Sequence, residues 1–184
     1  MLEEIKHVQA TAALMYSEQE VEAAIDNMAE AINIALANRN PLLLCVMNGG
    51  IVTAGKLLTR LTIPLTIDAI NASRYQNRTS GGGIEWLVKP ETPLKDRTVL
   101  IVDDILDEGI TLAALYEYCR EQGATAVYSA VLVDKILDHD RQKPVTADFI
   151  GLRVENRYLF GYGMDYKGYL RNAAGIYACT EHTS

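Results

Sequence analysis

Basic residues are outnumbered, cysteines are few and long apolar runs are missing, and each of these absences removes a class of function. Seventeen Lys and Arg face 24 Asp and Glu, a net charge of −7. Such a chain is repelled by a phosphate backbone unless its few cations cluster, so nucleic-acid binding and attachment to anionic membranes are poor readings. Cys45, Cys119 and Cys179 lie far apart and form no CxxC pair. They suggest neither a zinc site nor a disulfide framework and are expected as buried, reduced thiols. The longest wholly apolar run, near Leu42 to Met47, is far too short to span a bilayer. Glu3, Glu4 and Lys6 stand where a signal peptide carries its apolar stretch. A soluble, cytoplasmic protein is expected. There is no internal repeat and no low-complexity tract, and a hydrophobic fraction of 49% over 184 residues suits one globular domain with a real core.

Ser17 and Glu20 form a capping box, and Val21, Ala24, Ile25, Met28, Ile32 and Leu36 follow at helical spacing. Leu42 to Met47 reads as a strand buried on both faces, broken by Asn48-Gly49-Gly50. A helix from about Val52 to Leu61 and a strand through Leu65, Ile67, Ala69 and Ile70 come next. Asn71 to Gly83 is polar and glycine-rich and reads as a mobile surface loop, with a short strand, Ile84 to Val88, returning from it. Thr98 to Val102 is a second buried strand, followed by Asp103-Asp104, a crossing loop from Ile105 to Thr111 and a helix to Gln122 with Gly123 beyond its end. Ala126 to Val133 is the next strand. This alternation predicts an α/β protein with a central, mainly parallel sheet flanked by helices. Asp148–Val154, Tyr158–Tyr162 and Gly175–Cys179 read as short strands of an antiparallel edge or small hood. Ligands of open α/β sheets sit beyond the carboxyl ends of the strands, so the loops after Met47, Val102 and Val133 are the candidates.

The chemistry concentrates in VLIVDDILDEGIT, Val99 to Thr111. A buried strand delivers Asp103 and Asp104 at its end, and a third carboxylate, Asp107, precedes Gly109 and the start of a helix. Backbone N–H groups at a helix N-terminus attract an anion, and glycine lets a phosphate approach the main chain. Paired carboxylates beside such a cradle suit a sugar phosphate, because they accept hydrogen bonds from vicinal hydroxyls and attract Mg²⁺. Acids that merely cap a helix would explain a lone pair. Three carboxylates with Gly and Thr directly after a buried strand make that reading the weaker one. No Lys-Ser or Lys-Thr follows the glycine, so this is not a Walker loop, and Gly161-Tyr162-Gly163 is too short a fragment to indicate a dinucleotide site.

VLIVDDILDEGIT resembles the phosphoribosyl-diphosphate (PRPP) motif of type I phosphoribosyltransferases. LCVMNGG (Leu44 to Gly50), VLVDK (Val131 to Lys135) and DFIGLRVENRYLFGYGMDYKGYLRN (Asp148 to Asn172) resemble the diphosphate loop, base-recognition strand and hood of the hypoxanthine-guanine branch. The resemblance implies a single domain over residues 1–184, with a hood from the N-terminal residues and roughly 150–184. It implies transfer of phosphoribose from PRPP to hypoxanthine or guanine, with Mg²⁺ as cofactor, diphosphate as product, and a homodimer or homotetramer as the assembly. A xanthine-preferring enzyme and an RNA-binding relative are the alternatives, the second disfavoured by the acidic charge.

Carried onto this chain, the resemblance assigns the ribose hydroxyls to Asp103 and Asp104 and general-base catalysis at the purine to Asp107. The main chain of Asp107, Glu108, Gly109, Ile110 and Thr111 would hold the 5′-phosphate. Asn48, Gly49 and Arg171 would meet the diphosphate. PRPP itself would hold most of the metal, with Asp165 and Asp103 as protein contacts. Lys135 would donate to the 6-oxo group, Tyr158 would stack on the purine, and the Leu159 carbonyl and Asp165 would lie at its edge. Ser73, Arg74 and Tyr75 would belong to a closing loop. The chain departs from the family where Glu108 replaces the usual Thr, Asn48 replaces Lys or Arg, Tyr158 replaces Phe, and Arg74 separates Ser73 from Tyr75.

Overall fold

The computed structural model describes residues 1–74, 84–137 and 143–180. The chain runs α1 (Leu2–Thr11), β1 (Ala13–Tyr16), α2 (Glu18–Ala35), β2 (Leu42–Met47), α3 (Ile51–Leu58), β3 (Thr66–Arg74) and β4 (Ile84–Val88). It continues through β5 (Thr98–Leu106), α4 (Ile110–Glu121), β6 (Ala126–Ile136), β7 (Phe149–Glu155), β8 (Leu159–Phe160) and β9 (Ile176–Ala178). The predicted capping box opens α2: the Ser17 N–H donates to the Glu20 carboxylate at 2.8 Å, and the Ser17 hydroxyl accepts from the Glu20 N–H. Val21, Ala24, Ile25, Met28 and Ile32 then face the core, as the 3.6-residue period requires.

Among the described residues six strands form the main sheet in the order β4-β3-β2-β5-β6-β7, with only β4 antiparallel to its neighbour. Its central strands are buried on both faces, which explains their unbroken apolar sequences. Leu43, Cys45, Leu100 and Val102 pack with α2 and α3, whereas Leu42, Leu44, Val99 and Ile101 pack with α4. Truncating a residue such as Leu100, which has no exposed surface, to alanine costs about 2–5 kcal/mol. The chain leaves β2 through α3 toward one face and leaves β5 through α4 toward the other. That divergence opens a crevice at the carboxyl ends of β2 and β5, where a ligand of such a sheet binds.

A second sheet, β1-β9-β8, lies outside the first. Ile5 of α1 packs with Phe160, Tyr166 and Leu170 beneath it. Neither α1 nor β1 is predicted from the sequence. The stretch expected as the first of three short edge or hood strands is instead β7, paired in parallel with β6. Asp148 explains the difference, since its carboxylate accepts the Ser129 N–H at 2.8 Å and the Tyr116 hydroxyl at 2.7 Å and so pins the start of β7 to β6. Residues 71–74, expected in a loop, extend β3 because their backbone pairs with β4. The remainder of that loop, residues 75–83, lies outside the described residues. Among the described residues no helix is long and apolar enough to cross a membrane. Cys45, Cys119 and Cys179 are free thiols.

Candidate active site

β5 continues past Val102 to Leu106, so Asp103 and Asp104 are strand residues and the connection to α4 is only Asp107, Glu108 and Gly109. Regular alternation is interrupted here, since Val102 and Ile105 both pack on the side of α2 and α3, and the two carboxylates open into the same crevice. Asp104 is 8% exposed, while Asp103 is more open by surface area yet lies deep in the crevice, its Oδ1 accepting the Asp104 N–H at 2.8 Å. Burial, reinforced by the neighbouring Asp104 charge, raises Asp103 well above the usual carboxylate range, and burial raises Asp104 as well. Behind them, burial and the same two charges push the Cys45 thiol up to about 11, so it is an unreactive thiol at neutral pH.

Gly109 precedes α4 with φ +79°, a left-handed conformation that a Cβ would strain. Gly109, the residue before the helix, has no side chain to cap it, and the first N–H groups of α4, at Ile110 and Thr111, point toward the crevice end of the helix. Ile110 itself points outward and is 45% exposed.

The turn after β2 approaches from the other side. A Cβ on Gly49 would sit 2.2 Å from Asp104 Oδ2, so only glycine lets the turn lie against that carboxylate. The Met47–Asn48 peptide is cis. Gly163, at φ +105°, comes so close to the turn that its own Cβ would meet the Gly49 carbonyl at 2.1 Å. Arg171 wraps this contact, donating through Nη1 to the Gly163 carbonyl at 2.6 Å and pairing through Nη2 with Asp165 at 2.7 Å. The other Asp165 oxygen accepts the Gly168 N–H at 2.7 Å. A cavity of about 300 Å³ results, with Asn48 and Gly49 on one wall, Asp103, Asp104 and residues 107–109 with Thr111 on another, and Asp165 and Arg171 above.

Lys135 lies within β6, one residue short of its end, with its side chain 11% exposed and its ammonium 3.1 Å from Asp107 Oδ2. Tyr158 is half exposed and meets Tyr166 edge-on with centroids 5.6 Å apart. The Tyr158 carbonyl accepts the Cys179 N–H, and Leu159 is opposite Ala178. Antiparallel alternation then makes Leu159 a non-hydrogen-bonded position, with its carbonyl directed off the outer edge of β8.

Residues 13–167 match the phosphoribosyl transferase domain family. The chain belongs to that family. It is 29% identical over 160 residues to the hypoxanthine-guanine phosphoribosyltransferase of Bacillus subtilis, covering 86% of this chain and 88% of that one. It is 29% identical over 159 residues to the hypoxanthine-guanine-xanthine phosphoribosyltransferase of Tritrichomonas foetus, covering 86% of each. The structure of a hypoxanthine-guanine phosphoribosyltransferase from Bacillus anthracis superposes with a TM-score of 0.82 at 25% identity, covering 92% of this chain and 97% of that one. The type I phosphoribosyltransferase fold expected from the sequence is therefore the fold found.

In this phosphoribosyltransferase the residues singled out from the sequence divide into groups. Asn48, Gly49, Asp103, Asp104, Asp107, Glu108, Gly109, Thr111, Asp165 and Arg171 share one cavity. Lys135 joins it through Asp107. Tyr158 and Leu159 line no wall of that cavity. Ser73 and Arg74 end β3 by pairing with Glu85 and Ile84, and Tyr75 lies outside the described residues.

Sequence reasoning missed a second cluster that holds the hood in place. The Tyr162 hydroxyl donates to Glu22 Oε1 at 2.6 Å, and Lys56 and Arg60 pair with the same carboxylate at 2.6 Å. Asp26 accepts from Arg60. Burial alone would raise Glu22, but the bonds from Lys56, Tyr162 and Arg60 outweigh it and hold the carboxyl at about 2. This ties α2 and α3 to the residue preceding Gly163. The one available signal was a carboxylate beside the apolar stripe of α2, and its partners lie too far along the chain to be inferred.

Proposed function

We propose that this protein transfers the 5-phosphoribosyl group from PRPP to hypoxanthine or guanine, yielding IMP or GMP and diphosphate in purine salvage. The observation that carries this reading is the Lys135–Asp107 pair, 3.1 Å apart beside the carboxylate and phosphate-cradle wall. A donor-only ammonium complements a 6-oxo group, and an adjacent carboxylate can take the purine ring proton. The names of the relatives support the same substrates.

In the proposed reaction the ribosyl C1–oxygen bond breaks, the diphosphate departs with the bonding pair, and a purine nitrogen forms the new bond to C1 while its proton passes to Asp107. Asp103 and Asp104 accept hydrogen bonds from the ribose hydroxyls, and their negative charge faces the oxocarbenium-like sugar. The N–H groups at the start of α4 receive the 5′-phosphate. Arg171 and the turn at Asn48 and Gly49 receive the leaving diphosphate. Tyr158 covers the purine face, and the Leu159 carbonyl accepts from its edge.

The donor set fits Mg²⁺ brought by the substrate. Among the described residues no group of three acidic, His or Cys side chains could hold a metal alone, whereas Asp103 and Asp165 offer hard carboxylate oxygens to one cavity. When bound, Mg²⁺ neutralises charge developing on the diphosphate. A cytoplasmic homodimer or homotetramer completes the proposal.

The test is turnover with PRPP and Mg²⁺ against hypoxanthine, guanine, xanthine, adenine and uracil. Hypoxanthine and guanine should both be used, and adenine disfavoured by about 10⁴-fold in kcat/KM, since a site built around one hydrogen bond rejects the analogue lacking it. Adenine turnover within tenfold of hypoxanthine would overturn the reading.

A further inference from the structure

The parallel ladder between β5 and β6 ends at the pair Leu106 and Asp134, and the next residues are Asp107 and Lys135. Asp107 and Lys135 therefore stand at the open end of that ladder, one residue past its last pair. Lys143 adds a side-chain tie at this end. Its ammonium donates to the Leu106 carbonyl at 2.7 Å and to Asp134 Oδ1 at 2.5 Å, bridging the two strand ends directly. The bridge is shielded, with Lys143 12% and Asp134 18% exposed, so water does not replace it cheaply. The second Asp134 oxygen faces the Arg153 Nε at 3.4 Å, a partner that is itself 67% exposed. The stem of Lys143 serves a separate purpose. Its Cβ and Pro144 Cδ lie 3.4 and 3.2 Å from the place a Gly109 Cβ would take, so residues 143 and 144 also back the phosphate cradle.

We propose that Lys143 is a positioning residue which sets the separation of Asp107 and Lys135, and with it the selection of the base. The inference rests on the functional reading above. Charge and stem divide its two effects: the ammonium governs the base pair, and the carbon chain supports Gly109. Lys143→Met keeps the stem and removes the charge.

The experiment measures kcat/KM for hypoxanthine and adenine, KM for the base and for PRPP, and Tm, in wild type, Lys143→Met, Lys143→Arg and Asp134→Asn. A displacement near 1 Å at a reacting pair costs ~10- to 100-fold, and that loss is expected in kcat/KM for hypoxanthine in the Met variant. The KM for hypoxanthine should rise, the preference over adenine should shrink, and the KM for PRPP should stay near wild type. Lys143→Arg should restore the preference. Asp134→Asn should reproduce the Met result, and it carries the test if Lys143→Met does not fold. Unchanged base preference in a folded variant overturns the proposal, as does an equal rise in both KM values or failure of Arg to restore. Wild type that uses no 6-oxopurine would instead overturn the functional reading itself.

Discussion

Two sets of partly buried carboxylates sit in this molecule, and their surroundings are opposite. Glu22, between α2, α3 and the hood, receives Lys56, Arg60 and the Tyr162 hydroxyl and is held at about 2. Asp103 and Asp104, at the end of β5, are raised by burial, and the pair has one another for closest company. A fold that surrounds Glu22 with cations gives the β5 pair the charge of Arg171, already paired with Asp165, and burial outweighs it. The difference separates a carboxylate that holds the structure together from carboxylates kept poised for a substrate and its metal. The first is favourable for folding when ionised. The second are unfavourable when ionised and are useful only once something positive arrives.

Substitutions within the cleft should be the most severe for activity. Asp107→Asn should lower kcat by ~10²-fold or more while PRPP affinity, read by equilibrium binding, stays close to wild type. An unchanged kcat under conditions where chemistry limits turnover would remove Asp107 from the proton transfer. Gly49→Ala places a methyl where the Asp104 carboxylate now lies. It should cost ~10²-fold in kcat/KM for PRPP, because displacement near 1 Å at such a site is that damaging. Normal PRPP kinetics in the Ala variant would mean that this contact does not position Asp104.

The structural cluster should answer differently. Glu22→Gln keeps the shape and loses the charge, and bonds to a charged group are worth about 1.5–3 kcal/mol each. A drop in Tm is expected with kcat changed much less than in Asp107→Asn. A smaller effect concerns pH. Because the folded pKa of Glu22 is depressed, its stabilising contribution is present above the unfolded value of 4.5 and is lost as the pH falls toward about 2. Wild type should therefore exceed Glu22→Gln in Tm at pH 7, and the gap should close between about pH 4.5 and pH 2. A gap that persists at pH 2 would show that the charge is not its source.

Much of the cleft could be read directly from residues 99–111, because a doubly buried strand writes an unbroken apolar run and its polar ending then stands out. The lengths were less accessible. β5 and β6 run past their apolar cores into Asp103 to Leu106 and Asp134 to Ile136, where backbone pairing continues after hydrophobic patterning has stopped. β7 does not announce its place in the main sheet, because it pairs in parallel with β6 with no helix among the described residues between them, and the carboxylate of Asp148 that docks it looks like any surface acid. Glu22 showed only as an acid beside the apolar stripe of α2, and Lys143 carried no signal. Each acts through partners made adjacent only by folding: Tyr162 for Glu22, and the Leu106 carbonyl for Lys143.

The contrast between the two carboxylate sets is tested most directly by Asp103→Asn, measured for Tm without Mg²⁺ or PRPP and for kcat/KM with both. Asparagine keeps the oxygen that accepts the Asp104 N–H and removes the unfavourable buried charge. The account predicts a Tm at pH 7 equal to or above wild type, together with kcat/KM for PRPP lowered by ~10-fold or more, the loss expected when a charge-assisted contact is weakened. A variant that melts well below wild type, or one that turns over at the wild-type rate, would contradict it.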